Sequence, residues 1–187
     1  MKILNLTLLL GLCVCTHSLY AQRHYEGISA LEANYGLNIF GRSNTNLNIS
    51  VSKYRNRTTM WKLGLNYLEK SYDYNYEDNS QEVPRNISFS STAKDYYLDG
   101  VYLKTVATNL STLYLNFGLG AFIGVEAYKK QDDKYNFLFG PKAELELEYF
   151  ISGRIALLGR VKQYWSPFSY ASKWNTVWNA GVKVLIY

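Results

Sequence analysis

The sequence predicts an all-β fold, a single antiparallel up-and-down transmembrane β-barrel of about eight strands, after an N-terminal signal peptide. Three observations carry this reading. Apolar and polar residues alternate with period two in segment after segment. The connections between segments are alternately short and long, and glycines and charges collect on the polar side of the alternation. A strand sends successive side chains to opposite faces, whereas a helix would scatter both sets around its circumference.

Residues 1–21 read as the signal peptide. Lys2 is the positive start, Ile3 to Val14 the apolar run, and Tyr20-Ala21-Gln22 the cleavage point, although Leu19 stands where a small residue is preferred. Leu12 and Val14 precede Cys13 and Cys15 where a lipoprotein would carry small residues, so an ordinary signal peptide is favoured. Cleavage after Ala21 leaves one domain, 22–187, which is 166 of the 187 residues. Both cysteines leave with the leader, which excludes a disulfide framework and a thiolate metal site. Without Lys2 the domain has 19 basic and 15 acidic residues, a formal charge of +4. No basic run or aromatic-basic module accompanies that mild excess, so no nucleic-acid binding is expected.

The strands follow in order. Leu31, Ala33, Tyr35, Leu37 and Ile39 alternate with Glu32, Asn34, Gly36 and Asn38. Leu47, Ile49 and Val51 alternate with Asn46, Asn48, Ser50 and Ser52, and Trp61, Leu63, Leu65 and Tyr67 with Lys62, Gly64 and Asn66. The fourth strand, around Lys94 to Lys104, sets Tyr96, Leu98 and Tyr102 against Tyr97, Asp99 and Val101. The fifth, LYLNFGLGAFIGVEAY (113–128), has only apolar residues at odd positions, and its three alternate glycines would cost a helix about 1 kcal/mol each relative to alanine. The sixth, Asn136 to Tyr149, sets Phe137, Phe139, Ala143, Leu145, Leu147 and Tyr149 against Lys142, Glu144, Glu146 and Glu148. The seventh sets Ile155, Leu157 and Val161 against Arg154, Arg160 and Lys162. The eighth sets Trp174, Trp178, Ala180, Val182, Val184 and Ile186 against Asn175, Asn179, Gly181 and Lys183.

Connections after even strands are short, at Asn56-Arg57-Thr58, near Thr108-Asn109 and at Ser152-Gly153. Those after odd strands are longer, at Asp73 to Ser91, Lys129 to Lys134 and Ser166 to Lys173. An even strand count with short turns on one rim and long loops on the other describes an outer-membrane barrel. Gly36, Gly64, Gly118, Gly120, Gly124, Gly140 and Gly181 share the charged face, as a narrow eight-strand lumen requires. Tyr35, Trp61, Tyr149, Trp165 and Trp174 sit near strand ends on the apolar face, as interfacial girdles do. Both faces therefore favour a membrane barrel over a secreted soluble one.

Such a lumen is filled by side chains and is not a diffusion pore. The candidate lumen ion-pair residues are Glu126, Lys142, Glu144, Glu146, Glu148, Arg160 and Lys162, and their expected role is structural. The tight turn at Ser152-Gly153 allows two registers. One puts Glu144 opposite Arg160; the other puts Glu146 opposite Arg160 and Glu144 opposite Lys162. Either sets carboxylate against cation where an unpaired charge is expensive. His24, the one histidine after the leader, precedes the first strand, so a Ser-His nucleophile is not expected and the chain reads as non-catalytic. No cofactor or metal is expected, with Asp132-Asp133 read as a solvated turn. The tract SYDYNYEDNS (71–80) offers Tyr72, Tyr74 and Tyr76 as surface-contact candidates or as a continuation of the third strand.

The chain resembles the conjugative transposon TraO proteins of Bacteroidota. The resemblance is carried by Gln22-Arg23, Leu31-Glu32, LNFGLGAFIGVE (115–126) and above all NFLFGPKAELELEYFISGRIALLGRVKQYW (136–165). The loop from Asp73 to Ser91 departs from the family, as does the ending VKVLIY, where Tyr187 falls out of register with Val182, Val184 and Ile186. The resemblance implies a non-catalytic component of a conjugative transfer apparatus, placed in the cell outer membrane as an anchor or accessory subunit. Its partners would be outer-membrane lipid and other transfer proteins. The alternative is a stand-alone adhesin or surface-binding barrel. A lipid-modifying barrel enzyme would need rim acid/base residues, for which Glu126 and Asp99 would be the ones to test.

Overall fold

The computed structural model describes residues 24–38, 45–78, 85–129 and 133–187, with backbone alone at 74–78, 85–89, 129 and 133. The leader expected at 1–21 lies outside them, as does the turn at Asp132. Eight strands run in chain order: β1 Ser29–Asn38, β2 Thr45–Tyr54, β3 Thr59–Asp78, β4 Arg85–Thr108, β5 Leu113–Lys129, β6 Asp133–Phe150, β7 Ile155–Trp165 and β8 Trp174–Ile186. Each pairs antiparallel with its sequence neighbour, and β8 closes the barrel against β1. Closure satisfies the backbone groups within the wall, which a bilayer demands because it offers no water to bond them.

The registers fix the tilt. Partners traced once around the wall run Glu146, Arg160, Asn179, Gly36, Asn46, Leu68, Asp95, Glu126 and Asn136. The circuit returns to β6 ten residues from its start. At about 3.3 Å per residue and about 4.8 Å between strands, that offset over eight strands tilts them by about 40°. Inward glycines permit the curvature. A β-carbon on Gly120 would stand 2.0 Å from the Gly100 carbonyl oxygen and 2.8 Å from the Val101 α-carbon.

The two faces invert the arrangement of a soluble protein. Ile49, Leu63, Leu65 and Leu119 point outward at 60–65 % exposure, while Glu32, Glu146 and Lys183 point inward at 0 %. An apolar exterior around a charged interior is a membrane barrel's distribution. Trp61 and Tyr102 pair at 4.8 Å toward the short-turn rim. Tyr67 with Tyr96 at 5.3 Å, and Trp165 with Trp174 at 6.0 Å, mark the loop rim.

The faces of the fourth strand are as the alternation predicts, but its length is not. The long loop expected from Asp73 to Ser91 is mostly strand. β3 and β4 continue together from Lys70↔Ala93 to Asp78↔Arg85 as a two-stranded ribbon beyond the barrel wall. Beyond the bilayer neither face of a strand need be apolar, so the hydropathy alternation fades while the ladder persists. At the other end of β4 a bulge between Thr105 and Ala107 shifts the pairing with β5.

Gly120→Val is expected to abolish most refolding into the barrel, because its side chain has only backbone to displace. Gly153→Ala, with nothing within 4 Å of its added carbon, should fold like the parent. The folded fraction read from the unheated band on a denaturing gel checks both, and equal folding by the two would contradict the packing described.

Candidate functional site

The interior carries the charge. In its middle, Glu32, Asp99, Glu144, Glu146 and Glu148 meet Lys62, Lys142, Arg160, Lys162 and Lys183, all buried. The period-two alternation puts these residues inside, since each lies on an inward position of its strand. Arg160 on β7 is the junction. Its Nε donates to Glu146 at 2.5 Å, its Nη2 to Glu32 across on β1, and its Nη1 to Asn48 Oδ1 at 3.3 Å. Lys62 binds Glu146, Glu144 at 3.0 Å and Glu32 at 3.4 Å. Lys183 binds Glu148 at 2.6 Å, Glu32 at 3.0 Å and Glu146 at 3.2 Å. Lys142 joins Asp99 at 2.6 Å to Glu144 at 2.7 Å. Hydroxyls of Ser50 and Ser52 donate to Glu32, each at 2.9 Å. Five carboxylates and five cations neutralise the layer, with hydrogen bonds filling the remaining lone pairs.

Of the two registers open at the β6–β7 turn, the barrel has Glu146 opposite Arg160 and Glu144 opposite Lys162. Only the first pair becomes an ion pair. Lys162 instead donates to Asn66 Oδ1 at 3.3 Å and has no carboxylate within 4.0 Å among the described residues. Glu144 turns to Lys142, two residues away on its own strand, and to Lys62, which reaches it across the lumen from β3.

Glu126 belongs to a different place. It stands at the loop rim, where the β7–β8 connection, 166–173, folds over the mouth. Its carboxylate accepts from Ser169 Oγ at 2.6 Å, Tyr170 N at 2.7 Å and Ala171 N at 3.3 Å. Lys70 bridges it, at 3.2 Å, to Asp95 at 2.6 Å. Above this cluster Tyr128 stacks on Tyr170 at 4.5 Å, and Tyr72 meets Tyr170 edge-on at 5.6 Å. Tyr72, expected at a surface contact, is therefore buried in the closure, since its strand parity turns it inward. The backbone of Tyr74 and Tyr76 lies in the ribbon, and their side chains lie outside the described residues.

The short-turn rim is closed by a residue the sequence reading left outside. His24 precedes β1 but folds back into the lumen, where Nε2 lies 3.1 Å from Glu148 Oε2. Its ring stacks on Tyr114 at 3.9 Å and meets Tyr54 at 4.5 Å and Phe150 at 6.0 Å. Periodicity cannot locate a residue that belongs to no strand. The one available signal was an inward surplus of aromatics, Tyr54, Tyr114 and Phe150, at the ends of three strands.

Arg160→Met, which removes the guanidinium that Glu32 and Glu146 share and leaves the layer one cation short, should cost about 3–5 kcal/mol of stability, whereas Lys162→Met should change it by about 1 kcal/mol or less. Urea unfolding of lipid-reconstituted protein checks the order, and equal losses would contradict the network. Glu126→Gln leaves one acceptor for donors that now share two oxygens, so amide exchange at 169–171 should quicken roughly tenfold while the strands stay protected.

Among solved structures, the barrel is similar to Neisserial surface protein A, with TM-score 0.57 and 13 % identity over 84 % of this chain and 94 % of that one. It is also similar to the N-terminal β-barrel domain of Pseudomonas aeruginosa OprF, with TM-score 0.56 and 10 % identity over 86 % and 98 %. A third is Yersinia pestis Ail, the attachment invasion locus protein, in complex with the heparin analogue sucrose octasulfate, with TM-score 0.53 and 10 % identity over 86 % and 99 %. These likenesses show the fold. No curated protein matches the sequence. The family described as conjugative transposon protein TraO matches residues 27–186, a span that takes in all eight strands, and the chain belongs to that family.

Proposed function

We propose that this chain is a non-catalytic outer-membrane subunit of a conjugative transfer apparatus, acting as an anchor or accessory component. The observation that carries the reading is the lumen, filled by mutually paired charges and closed at both ends. Neither a DNA strand nor a solute has a path through it, so the work of the protein falls to its rims. Its ionised groups neutralise one another in the interior, which supports a structural role for them over acid/base chemistry. Glu126 and Asp99, the residues a lipid-modifying enzyme would use, are engaged by the closing loop and by Lys142 respectively. Family membership supplies the conjugative context, and the outer-membrane neighbours supply the membrane. In that membrane the short turns face the periplasm and the long ribbon faces outward.

A second reading, a stand-alone surface-binding barrel, is favoured by one observation: the β3–β4 ribbon continues nine residue pairs past the wall. One experiment separates the two. The gene is deleted in its host and complemented with a tagged copy, and transfer frequency and membrane fractionation are scored together. Transfer is expected to collapse on deletion and return with a tagged protein found in the outer membrane beside other transfer proteins. Unchanged transfer, with the protein still in the outer membrane, would pass the lead to surface binding.

A further inference from the structure

The short-turn rim carries pockets that the closed lumen does not account for. Three adjoin one another around the β2–β3 turn, Arg55–Thr58. Grooves of about 450 and 460 Å³ flank it on the Glu26 side, and a pocket of about 150 Å³ opens on the other, between Arg57, Thr58, Leu110 and His24. Both walls of the smaller pocket are rigid. In the first, Asn56 Oδ1 accepts from Thr58 N at 2.9 Å and Thr59 Oγ1 at 2.9 Å. In the second, Asn109 Oδ1 accepts from Thr112 N at 2.9 Å and Leu113 N at 2.8 Å.

Leu110 is the anomaly. It has φ 64°, a left-handed conformation disfavoured for a branched side chain, and it is 60 % exposed. Its backbone N–H donates to Thr108 Oγ1 at 2.9 Å within the turn, but its side chain joins neither group of buried core residues. It forms the lip of the pocket. His24 lines the same pocket, and its Nδ1 is buried with no hydrogen-bond partner. Since Nε2 must donate to the Glu148 carboxylate, Nδ1 of a neutral ring is left as an acceptor.

The charge on this rim has one sign. Lys53, Arg55, Arg57, Lys104 and Arg154 are exposed, against Glu26 as the one exposed acidic side chain there among the described residues. Lys53 and Lys104 sit on outward positions beside Trp61 and Thr59, at the level of lipid headgroups. Arg55 and Arg57 project beyond them on the turn, beside the pockets.

Resting on the transfer-subunit reading, we infer that this rim docks an acidic, extended segment of a periplasmic partner protein, one apolar side chain seated beside Leu110 and His24 and carboxylates on Arg55 and Arg57. Rigid walls spare the ordering cost of docking, and the arginines set its rate and salt dependence.

The test uses the whole barrel in detergent. The purified periplasmic domains of the transfer proteins encoded beside it are titrated one at a time. Binding of one domain is expected, falling about tenfold or more in Arg55→Glu/Arg57→Glu and weakening with salt. Leu110→Gly is the second variant. Glycine suits its φ, so the barrel should fold at least as well, yet the same domain should bind about fivefold more weakly through loss of apolar contact. Lys173→Glu on the loop rim should bind like the parent. No binding by any domain, or binding indifferent to both variants, overturns the inference. So does an effect of the arginine variants on anionic phospholipid vesicles alone, which would make the rim a headgroup belt. If gene deletion spares transfer, the transfer reading itself fails; if deletion stops transfer but both variants sustain it, only the docking site fails.

Discussion

Ten buried ionisable groups share the middle of a narrow lumen, and their need to neutralise one another constrains everything around them. Each ion taken from water costs several kcal/mol unless its partners are close and well aligned. Slipping any strand by one residue would turn its charges to lipid and its leucines inward, so the network pins the register of the whole wall. Arg160 on β7 binds Glu146 on the neighbouring β6 and reaches past β8 to Glu32 on β1 at once. No single strand pair holds the barrel; the arginine and lysines crossing the lumen tie non-adjacent strands together.

This explains what could be read from the sequence and what could not. The alternation identified the strands and the inward set, because parity is a local property and the bilayer enforces it. Glu144, Glu146, Glu148, Arg160 and Lys162 are inside for that reason alone. Partner choice is different, because it depends on tilt and on side-chain reach across an enclosed space. Glu144 and Lys162 oppose each other in the ladder and still bind elsewhere. Where the bilayer stops enforcing parity, the reading weakened. For 71–80 the sequence leaves a strand continuation and a contact surface equally open, and the ladder decides for the strand, with Tyr72 turned inward. His24 and the 166–173 loop were unreadable in principle, since nothing periodic marks a segment that folds back into a barrel.

The two closures are built from different chemistry. At the loop rim a single carboxylate, Glu126, holds the connection by hydrogen bonds from one hydroxyl and two backbone amides, with tyrosines above. Those bonds are directional and locally reversible, so the loop is the part of the barrel most easily opened without unfolding it. At the other rim His24 is wedged among three aromatic rings against Glu148. Removing it would expose apolar ring surface as well as a charge, so this end resists opening more strongly.

That asymmetry bears on how a plugged barrel can contribute to a larger assembly. With no conduction to regulate, a change at one rim reaches the other only through the wall or through the charge network. A network of short, crossing ion pairs is stiff, and a stiff body transmits position but not opening. The barrel is therefore suited to holding its two surfaces in fixed relation across a membrane. Its short-turn surface is tied by the Asn56 and Asn109 side chains, while on the loop side β3 and β4 extend as a two-stranded ribbon free of the wall. Stiffness at one face and reach at the other are what the proposed anchoring role would draw on, and the stiffness comes from an interior filled with paired charges.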